Sequence, residues 1–409
     1  MVKMKEKSLN LDDLACNGGT PIRRTPMPAR KAFGAGEENM ITEVLRYYRE
    51  RDLDPGYQGY FEDQYTTNFC RMMGEGYADV VSTGTASLFI AIAALNLPKN
   101  SEVLVSPITD PGCLSAVILN GLMPKTIDSE PGSYNVGPQQ FSEAISEKTS
   151  GAMIVHNAGF AVQIDEIVKL AHEKNIRIIE DCSQAHGATV KNKPVGTFGD
   201  IAAFSTMYRK GHMTGSSGGV VFAKDINLHN LAMAHADRGK PRWDSNFSDR
   251  DPSGYLFPAL NFHSDEISCG IGIASLRRLP ETIKVRRKFV QSVGEHLEKE
   301  SQICRAYTYE PSMSPFILPV EVDGSKINVS KLDFANAVLA EGIPLNPHYE
   351  YLFYEWPWVK KYMMDENVPT NAKTARDTSF CLYLNERYGE TEIADTVSAI
   401  LKVEQAFAN

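Results

Sequence analysis

The sequence predicts an α/β fold, in which a large domain with a mostly parallel sheet covered by helices precedes a smaller α+β domain. Short apolar runs alternate with helix-like stretches before residue 200, and such alternation is typical of parallel sheets. The pattern changes near residue 275, where a long amphipathic stretch begins. The length of 409 residues is enough for about two or three domains. We therefore expect an N-terminal arm at 1–36, a large domain at 37–275 and a small domain at 276–409.

The predicted elements of the large domain follow a loop-rich arm. This arm contains GGTPIRRTPMPARKAFGAG, whose prolines and glycines disfavour long regular elements, and a helical pattern covers 37–50. Helix-like stretches such as TASLFIAIAALN and DEIVKLAHEKN separate most of the strands before residue 200. Strands are predicted from β-branched and apolar content at 78–82, 102–106, 151–156, 176–181, 200–205 and 218–223.

The small domain is predicted to begin in a long amphipathic helix that starts near residue 275. A strand at 316–322 follows this helix. Helical patterns then cover 330–341 and 390–408. We find no fixed-period repeat and no low-complexity segment, so the chain is not predicted to be a solenoid or a linker array.

Composition and charge exclude several classes of protein. The formal net charge is −9, whereas a general nucleic-acid surface needs clustered positive charge. No run of about 18 apolar residues occurs, and the first residues lack the apolar core of a secretory signal, so we expect no membrane partner. The seven cysteines form no C-x-x-C pair, which favours reduced thiols and a cytoplasmic location.

Small and charged residues follow three predicted strands, at the edge where open α/β sheets form their active sites. TGTAS opens a helix whose N-terminus favours an anion, although a simple helix cap explains the same residues. Asp181 ends a buried strand, where a carboxylate needs either a salt bridge or a cationic ligand. Ser205 ends the next strand, and Lys210 follows it within FSTMYRKGHMTGSSGG.

The order of these residues favours a pyridoxal 5'-phosphate (PLP) site. The phosphate of this cofactor needs an anion cradle, its pyridine nitrogen needs a carboxylate, and its aldehyde needs a lysine for a Schiff base. Taken alone, Lys210 would be interpreted as a solvated loop lysine. Rival sites lack their signatures, because the sequence contains no dinucleotide G-x-G-x-x-G after the first strand, no P-loop and no metal-ligand spacing. We therefore expect no metal.

Several blocks of the sequence resemble the DegT/DnrJ/EryC1/StrS sugar aminotransferases, over nearly the whole chain. The most specific block is IIEDCSQAHGATVKNKPVGTFGDIAAFST, and VVSTGTASLFIAIAAL resembles the phosphate-binding helix of the family. GGTPIRR, RGKPRW, FPALNFHSDEISCGIGIASLRRL and GIPLNPHYEYLF resemble further landmarks. The resemblance implies the PLP-dependent transferase fold type I, and GGTPIRR is similar to members that act on inososes.

The resemblance also implies roles for individual residues. Lys210 would form the Schiff base and shuttle the proton, and Asp181 would pair with the pyridine nitrogen. Gln184 would bond the ring hydroxyl. The phosphate would be bound by Gly84, Thr85 and Ser205. Asn261 would reach the phosphate of a neighbouring subunit, so a homodimer with shared active sites is implied.

The sequence departs from the family at several positions. Asp110 stands where the family usually has an aromatic side chain that stacks on the cofactor, and His156 or Pro111 is a candidate to cover the ring instead. His263 replaces the usual arginine of an N-x-R motif. His212 follows Lys210 closely, and packing against the phosphate-binding helix is its simpler interpretation. The candidate substrate residues are Asp110, His212, His263 and His348.

Three functions remain open from the sequence. The first is an aminotransferase that moves an amino group from L-glutamate or L-glutamine to a keto group of a sugar, sugar nucleotide or cyclitol. The second is a PLP-dependent sugar dehydratase of the same family, in some of which a histidine replaces the lysine. The third is a non-catalytic ligand-binding homologue, which would have no need of Lys210. The presence of Lys210 favours the first.

Overall fold

The computed structural model describes residues 11–30, 32–363 and 367–409. The strands are β1 Tyr77–Val81, β2 Glu102–Val105, β3 Met123–Thr126, β4 Thr149–Val155, β5 Arg177–Asp181, β6 Thr189–Val190, β7 Lys193–Pro194, β8 Ile201–Ser205, β9 Gly219–Ala223, β10 Cys304–Ala306, β11 Ile317–Val322, β12 Leu345–Asn346 and β13 Ser379–Tyr383. The α-helices are α1 Ala35–Arg51, α2 Tyr60–Met73, α3 Gly84–Ala94, α4 Pro111–Leu119, α5 Pro138–Ala144, α6 Ile164–Glu173, α7 Ile226–Ala236, α8 Glu266–Glu300, α9 Lys331–Ala340, α10 Pro357–Lys360, α11 Thr370–Thr378 and α12 Glu390–Phe407.

A seven-stranded sheet with the order β1-β9-β8-β5-β4-β2-β3 forms the centre of the large domain. The pairs from β3 to β8 are parallel, whereas β9 is antiparallel to both β8 and β1. In this register Asp181 pairs with Val155 on one side and Ala203 on the other. The carboxyl ends of β4, β5 and β8 therefore meet at one edge, and the mostly parallel α/β architecture predicted from the sequence is confirmed.

Helices cover both faces of this sheet. One core cluster contains apolar side chains of α3, α4 and α7 against the sheet. A second contains side chains of α1, α2 and the first part of α8, and a third packs α5 and α6 on the sheet. The sheet is thus buried on two faces, which explains why its central strands are continuous apolar runs.

The long helix α8 connects the two predicted domains. Its first half packs Cys269 and Ile273 into a core of the large domain, and its second half packs Phe289 and Val293 into the core of the small domain. Pro280 lies inside the helix. The proposed boundary at 275/276 therefore falls within a continuous helix rather than in a loop.

The small domain is built on a four-stranded antiparallel sheet of order β10-β11-β13-β12. Helices α9 and α12 and the second half of α8 cover it. The arm packs on this domain as well, because Leu14 is fully buried in the same core. Backbone N–H groups of Ala15 and Ile22 each donate at 2.9 Å to the carboxylate of Glu341.

Most predicted elements are present with bounds shifted by one or two residues, and the exceptions have physical reasons. Strand β3 was not predicted, because MPKT is short, carries a proline and lies at the sheet edge. Helix α8 begins nine residues before the predicted start, at Glu266, where Asp265 accepts a capping hydrogen bond from Ser268 N. Among the described residues, no helix combines the length and apolarity needed to cross a bilayer.

Candidate active site

Lys210 lies in the loop after β8, at the carboxyl edge of the large sheet. Its side chain is half-buried, and its Nζ lies 4.8 Å from the ring centre of Phe316 in the small domain. Within the described part of the chain, Nζ forms neither an ion pair nor a hydrogen bond. Burial lowers the pKa of this amine, although the charges of Asp181 and Asp110 oppose the shift. The amine is thus less basic than an ordinary lysine and free to bond a ligand.

Asp181 is the last residue of β5, and only 4% of it is exposed. Its Oδ1 accepts a hydrogen bond from Ser183 N at 2.9 Å. Its Oδ2 accepts one from the thiol of Cys113 at 3.2 Å. No cation of the described chain forms an ion pair with this carboxylate. A buried carboxylate without a protein cation is suited to a cationic ligand group.

The N-terminus of α3 and the end of β8 together form an anion cradle. Thr83 caps the helix by accepting from Ala86 N at 2.8 Å, which leaves the N–H groups of Gly84 and Thr85 before the first helical hydrogen bond. A Cβ added at Gly84 would lie 2.5 Å from the Cβ of Ser205, so the two elements touch. Neither Ser205 Oγ nor Thr85 Oγ1 has a hydrogen-bond partner among the described residues. These donors suit a phosphate.

Gln184 is fixed at the same edge by a strained turn. Its Oε1 accepts from Ala158 N at 2.7 Å, and Ala158 has a φ of 59°, a left-handed conformation that is uncommon for alanine. Tyr309 holds the same turn through a 2.8 Å hydrogen bond to Ala158 O. The Nε2 of Gln184 has only a long contact of 3.5 Å to Tyr349 Oη. This amide therefore keeps a donor that can bind a ligand oxygen.

Asp110 is the N-cap of α4 and is exposed at the cleft. Its Oδ1 accepts from Gly112 N at 2.8 Å, and its charge opposes the lowering of the Lys210 pKa by burial. Pro111 is exposed beside it. The other candidate to cover the ring, His156, is fully buried, with its Nε2 3.1 Å from Glu180 and its Nδ1 accepting from Val162 N.

Glu180 organises the core beneath this edge rather than a metal site. The ligand atoms of His156, Glu180 and Cys182 lie within 4.8 Å of one another. However, the carboxylate of Glu180 already accepts from three backbone N–H groups at 2.6–2.8 Å, in addition to its contact with His156. The carboxylate of Glu180 and the imidazole of His156 therefore already have partners within the protein, and Glu180 holds the loop after β7 in place.

His212 lies in the protein core. No part of it is exposed, its Nε2 lies 2.5 Å from Tyr65 Oη, and its Nδ1 lies 3.2 Å from Ser275 Oγ. Burial lowers its pKa to about 3. His212 is a neutral imidazole with both nitrogens bonded, and these contacts are with α2 and α8 rather than with the phosphate-binding helix named in its simpler interpretation.

Asn261 and His263 lie in the segment that precedes α8. Asn261 is exposed, and its Oδ1 accepts from His263 N at 3.1 Å. The Nε2 of His263 lies 3.1 Å from Asp237 Oδ2, and its ring stacks on Tyr57 with 4.1 Å between centres.

His348 belongs to the small domain and is half-buried. Its Nδ1 lies 3.1 Å from the Nζ of Lys331, and burial lowers the pKa of His348. It directly precedes Tyr349, whose hydroxyl faces Gln184, so it lies near the rim of the cleft rather than beside Lys210.

A match over most of the sequence identifies the family of this protein. Residues 38–401 match the DegT/DnrJ/EryC1/StrS aminotransferase family. The chain belongs to this family. A GDP-perosamine synthase of Escherichia coli O157:H7 is 29% identical over 250 residues, covering 60% of this chain and 65% of the relative.

A second relative takes its name from an inosose. The L-glutamine:2-deoxy-scyllo-inosose aminotransferase of Micromonospora echinospora is 33% identical over 221 residues, covering 54% of this chain and 52% of the relative. The chain thus matches less than two thirds of the length of these two relatives.

Solved structures show the same fold. A GDP-4-keto-6-deoxy-D-mannose-3-dehydratase of E. coli with bound hydrated PLP superposes with a TM-score of 0.82 and 23% identity, over 92% of this chain and 98% of that one. The predicted fold type I is therefore confirmed.

Two contacts at the site were not predicted from the sequence. Cys113 touches Asp181 from α4, and Phe316 touches Lys210 from the small domain. In each case the partners are more than 60 residues apart, so no local motif could indicate the contact. The position of Cys113, one helical turn after Asp110, was the only local feature that pointed to the first contact.

Proposed function

We propose that the protein is a PLP-dependent aminotransferase that moves an amino group from L-glutamate or L-glutamine to a keto group of a sugar, sugar nucleotide or cyclitol. The observation that carries this proposal is the unpaired amine of Lys210, which shares one sheet edge with Asp181 and Ser205. The names of the two curated relatives support the acceptor class, and one of them supports glutamine as donor.

The residues present fit PLP. The free N–H groups of Gly84 and Thr85 and the unpaired Oγ of Ser205 would hold its phosphate. Asp181 would hold the ring nitrogen, the Nε2 of Gln184 would donate to the ring hydroxyl, and Lys210 would bond the aldehyde carbon. When bound, PLP supplies an electron sink for a carbanion next to the substrate nitrogen.

The side chains of this protein supply proton transfer and orientation. Because burial lowers the pKa of Lys210, a larger fraction of its amine is neutral near pH 7 than in a solvated lysine, and a neutral amine can accept a proton. Asp181, held by Ser183 N and Cys113, keeps a proton at the ring nitrogen. Phe316 covers Lys210 from the small domain and excludes water from one side of the amine.

Asp110 and His348 are proposed to contact the acceptor. Asp110 presents an exposed carboxylate at the position where an apolar ring would otherwise lie, and a carboxylate accepts hydrogen bonds from vicinal hydroxyls. His348 is placed at the rim by β12 and the turn that follows it. A polyhydroxylated sugar or cyclitol suits such a surface better than a flat apolar ligand.

A homodimer with shared sites and a cytoplasmic location complete the proposal. Asn261 is exposed on the large domain, with the amide Nδ2 free to donate to the phosphate of a partner subunit, and His263 lies beside it. All seven cysteines are free, which fits a reducing compartment.

The dehydratase is the second candidate, because one structural neighbour carries out that reaction. His212, the histidine that follows Lys210 closely, is fully buried, whereas the amine of Lys210 is unpaired. Retention of an unpaired lysine also argues against a non-catalytic binding protein.

The first experiment is to record the visible absorption of the protein with PLP before and after adding L-glutamate or L-glutamine. We expect a yellow band, its loss on adding the donor, and no band for Lys210→Ala. Lys224→Ala, an exposed lysine after β9, serves as the matched control. A band that ignores both donors would overturn transamination in favour of elimination. A band that persists in Lys210→Ala would refute the role of Lys210.

A further inference from the structure

The two oxygens of Asp181 have different partners. Oδ1 accepts from a backbone N–H, that of Ser183, which is fixed by the turn after β5. Oδ2 accepts from a side chain, the thiol of Cys113 on α4. The orientation of the carboxylate about its last bond therefore depends on one cysteine that lies 68 residues earlier in the chain.

The thiol of Cys113 is placed to donate and not to react. It has no exposed surface, and burial together with the charge of Asp181 raises its pKa well above the usual range, so it stays protonated. Its sulfur accepts a hydrogen bond from Thr109 Oγ1 at 2.9 Å. With this acceptor role filled by Thr109, the thiol hydrogen points to Asp181.

The weakness of this donor matters for the chemistry. A thiol is a weak hydrogen-bond donor, so it can orient a carboxylate while withdrawing little of its negative charge. A hydroxyl or an N–H at the same position would compete more strongly for the charge on Oδ2.

We propose that Cys113 is a positioning residue for the cofactor, which fixes the Asp181 carboxylate so that it holds the protonated ring nitrogen of PLP. The inference rests on the proposed role of Asp181. Thr109 supports Cys113, and both belong to the segment in which Asp110 replaces the aromatic residue usual in the family. In this protein the segment would stabilise the cofactor through Asp181 at the ring nitrogen, instead of through an aromatic side chain stacked on the ring.

The test compares Cys113→Ala, Cys113→Ser and Cys269→Ala. Cys269 is equally buried but lies in α8, so its variant controls for the loss of volume. PLP is titrated into each apoprotein to obtain Kd, and the visible band of the PLP-loaded protein is followed against pH. A lost hydrogen bond to a charged group predicts that Cys113→Ala weakens PLP binding about tenfold.

The pH titration separates positioning from mere stability. When the ring nitrogen is less firmly protonated, the nitrogen that would link Lys210 to the cofactor binds its own proton more tightly. The pH at the midpoint of the change in the visible band should therefore rise by about half a unit in Cys113→Ala. Cys113→Ser restores a donor and should recover most of the PLP affinity, whereas its stronger hydrogen bond to Asp181 should leave the midpoint above that of the wild type. If Cys113→Ala does not fold, Cys113→Val removes the donor while filling the space.

The outcomes distinguish this inference from the proposed function. If the donor-free variants match Cys269→Ala in Kd and midpoint while Asp181→Asn weakens PLP binding, the role of Cys113 is refuted and the site stands. If Asp181→Asn binds PLP as the wild type does, the proposed cofactor site itself is refuted.

Discussion

Burial shifts the pKa of several titratable side chains in this protein. The amine of Lys210 has a lowered pKa, and so has the imidazole of His212, because both are removed from water. The same effect acts in the opposite direction on acids. At Glu62 on α2, burial and the nearby charge of Asp79 raise the pKa to about 8.

Glu62 therefore provides a test of burial at the residue scale. An acid whose pKa is raised by folding destabilises the folded state progressively as pH rises from its unfolded pKa of about 4.5 to about 8. Glu62→Gln should raise the free energy of unfolding by on the order of 2 kcal/mol at pH 8.5 and change it little at pH 4.5. Urea denaturation at both pH values measures this, with the exposed Glu43→Gln as control. An equal effect of Glu62→Gln at both pH values would contradict it.

The candidate site could be predicted only where its residues follow one another along the chain. Asp181, Ser205 and Lys210 lie within 30 residues after two adjacent strands, so strand order alone brings them together. Cys113 and Phe316 reach the site from α4 and from the small domain, and their contacts depend on helix packing and domain placement. Such contacts leave no periodic signal in the sequence.

At the scale of elements, the closeness of α3 to β8 defines the anion cradle. The first residue of α3 is Gly84, and its missing side chain lets the helix start against Ser205. The helix N-terminus thus points its free N–H groups across the end of the strand. A helix displaced by the width of a methyl group would present these donors at the wrong distance.

Gly84→Ala tests this contact. The added Cβ would lie 2.5 Å from the Ser205 Cβ, so α3 must move, and we expect a loss of stability of about 1–3 kcal/mol together with weaker PLP binding. Gly294→Ala in α8 is the control, because its Cβ would meet nothing closer than 3.9 Å and should stabilise the helix slightly. Thermal unfolding and PLP titration measure both. Wild-type PLP affinity in Gly84→Ala would refute the cradle.

Elements with strong local signals could be predicted, and weak ones could not. The central strands are β-branched runs buried on both faces, so their positions follow from composition. The hairpin of β6 and β7 has two residues in each strand, too few for a pattern. The start of α8 contains CGIGIAS, whose glycines indicate a loop, yet Gly270 and Gly272 allow close packing against Val44 and Tyr65.

At the scale of the whole molecule, distant parts of the chain meet around the lysine loop. Arg30 of the arm donates to Tyr208 O in that loop at 2.6 Å and forms an ion pair of 2.9 Å with Glu386 of the small domain. The arm therefore links the loop that carries Lys210 to the small domain. No domain prediction from the sequence could show this link, because it joins residues that are over 170 positions apart.

The proposed sharing of active sites between subunits predicts complementation between two inactive variants. Lys210→Ala and Asn261→Ala should each be impaired. In a mixed dimer one site carries both defects and the other carries neither, so the purified mixed dimer should have about half of the wild-type activity. Co-expression with two different tags, followed by purification of the mixed species, measures this. No activity in the mixed dimer would refute a site shared between subunits.

The continuity of α8 through both domains has a mechanical consequence. A flexible loop at 275/276 would let the small domain swing freely, but a helix behaves as an elastic rod that bends gradually. Pro280 cannot donate to the helical ladder and is the softest point of this rod. Any displacement of the small domain relative to the large one would therefore have to bend α8, and the bend would concentrate near Pro280.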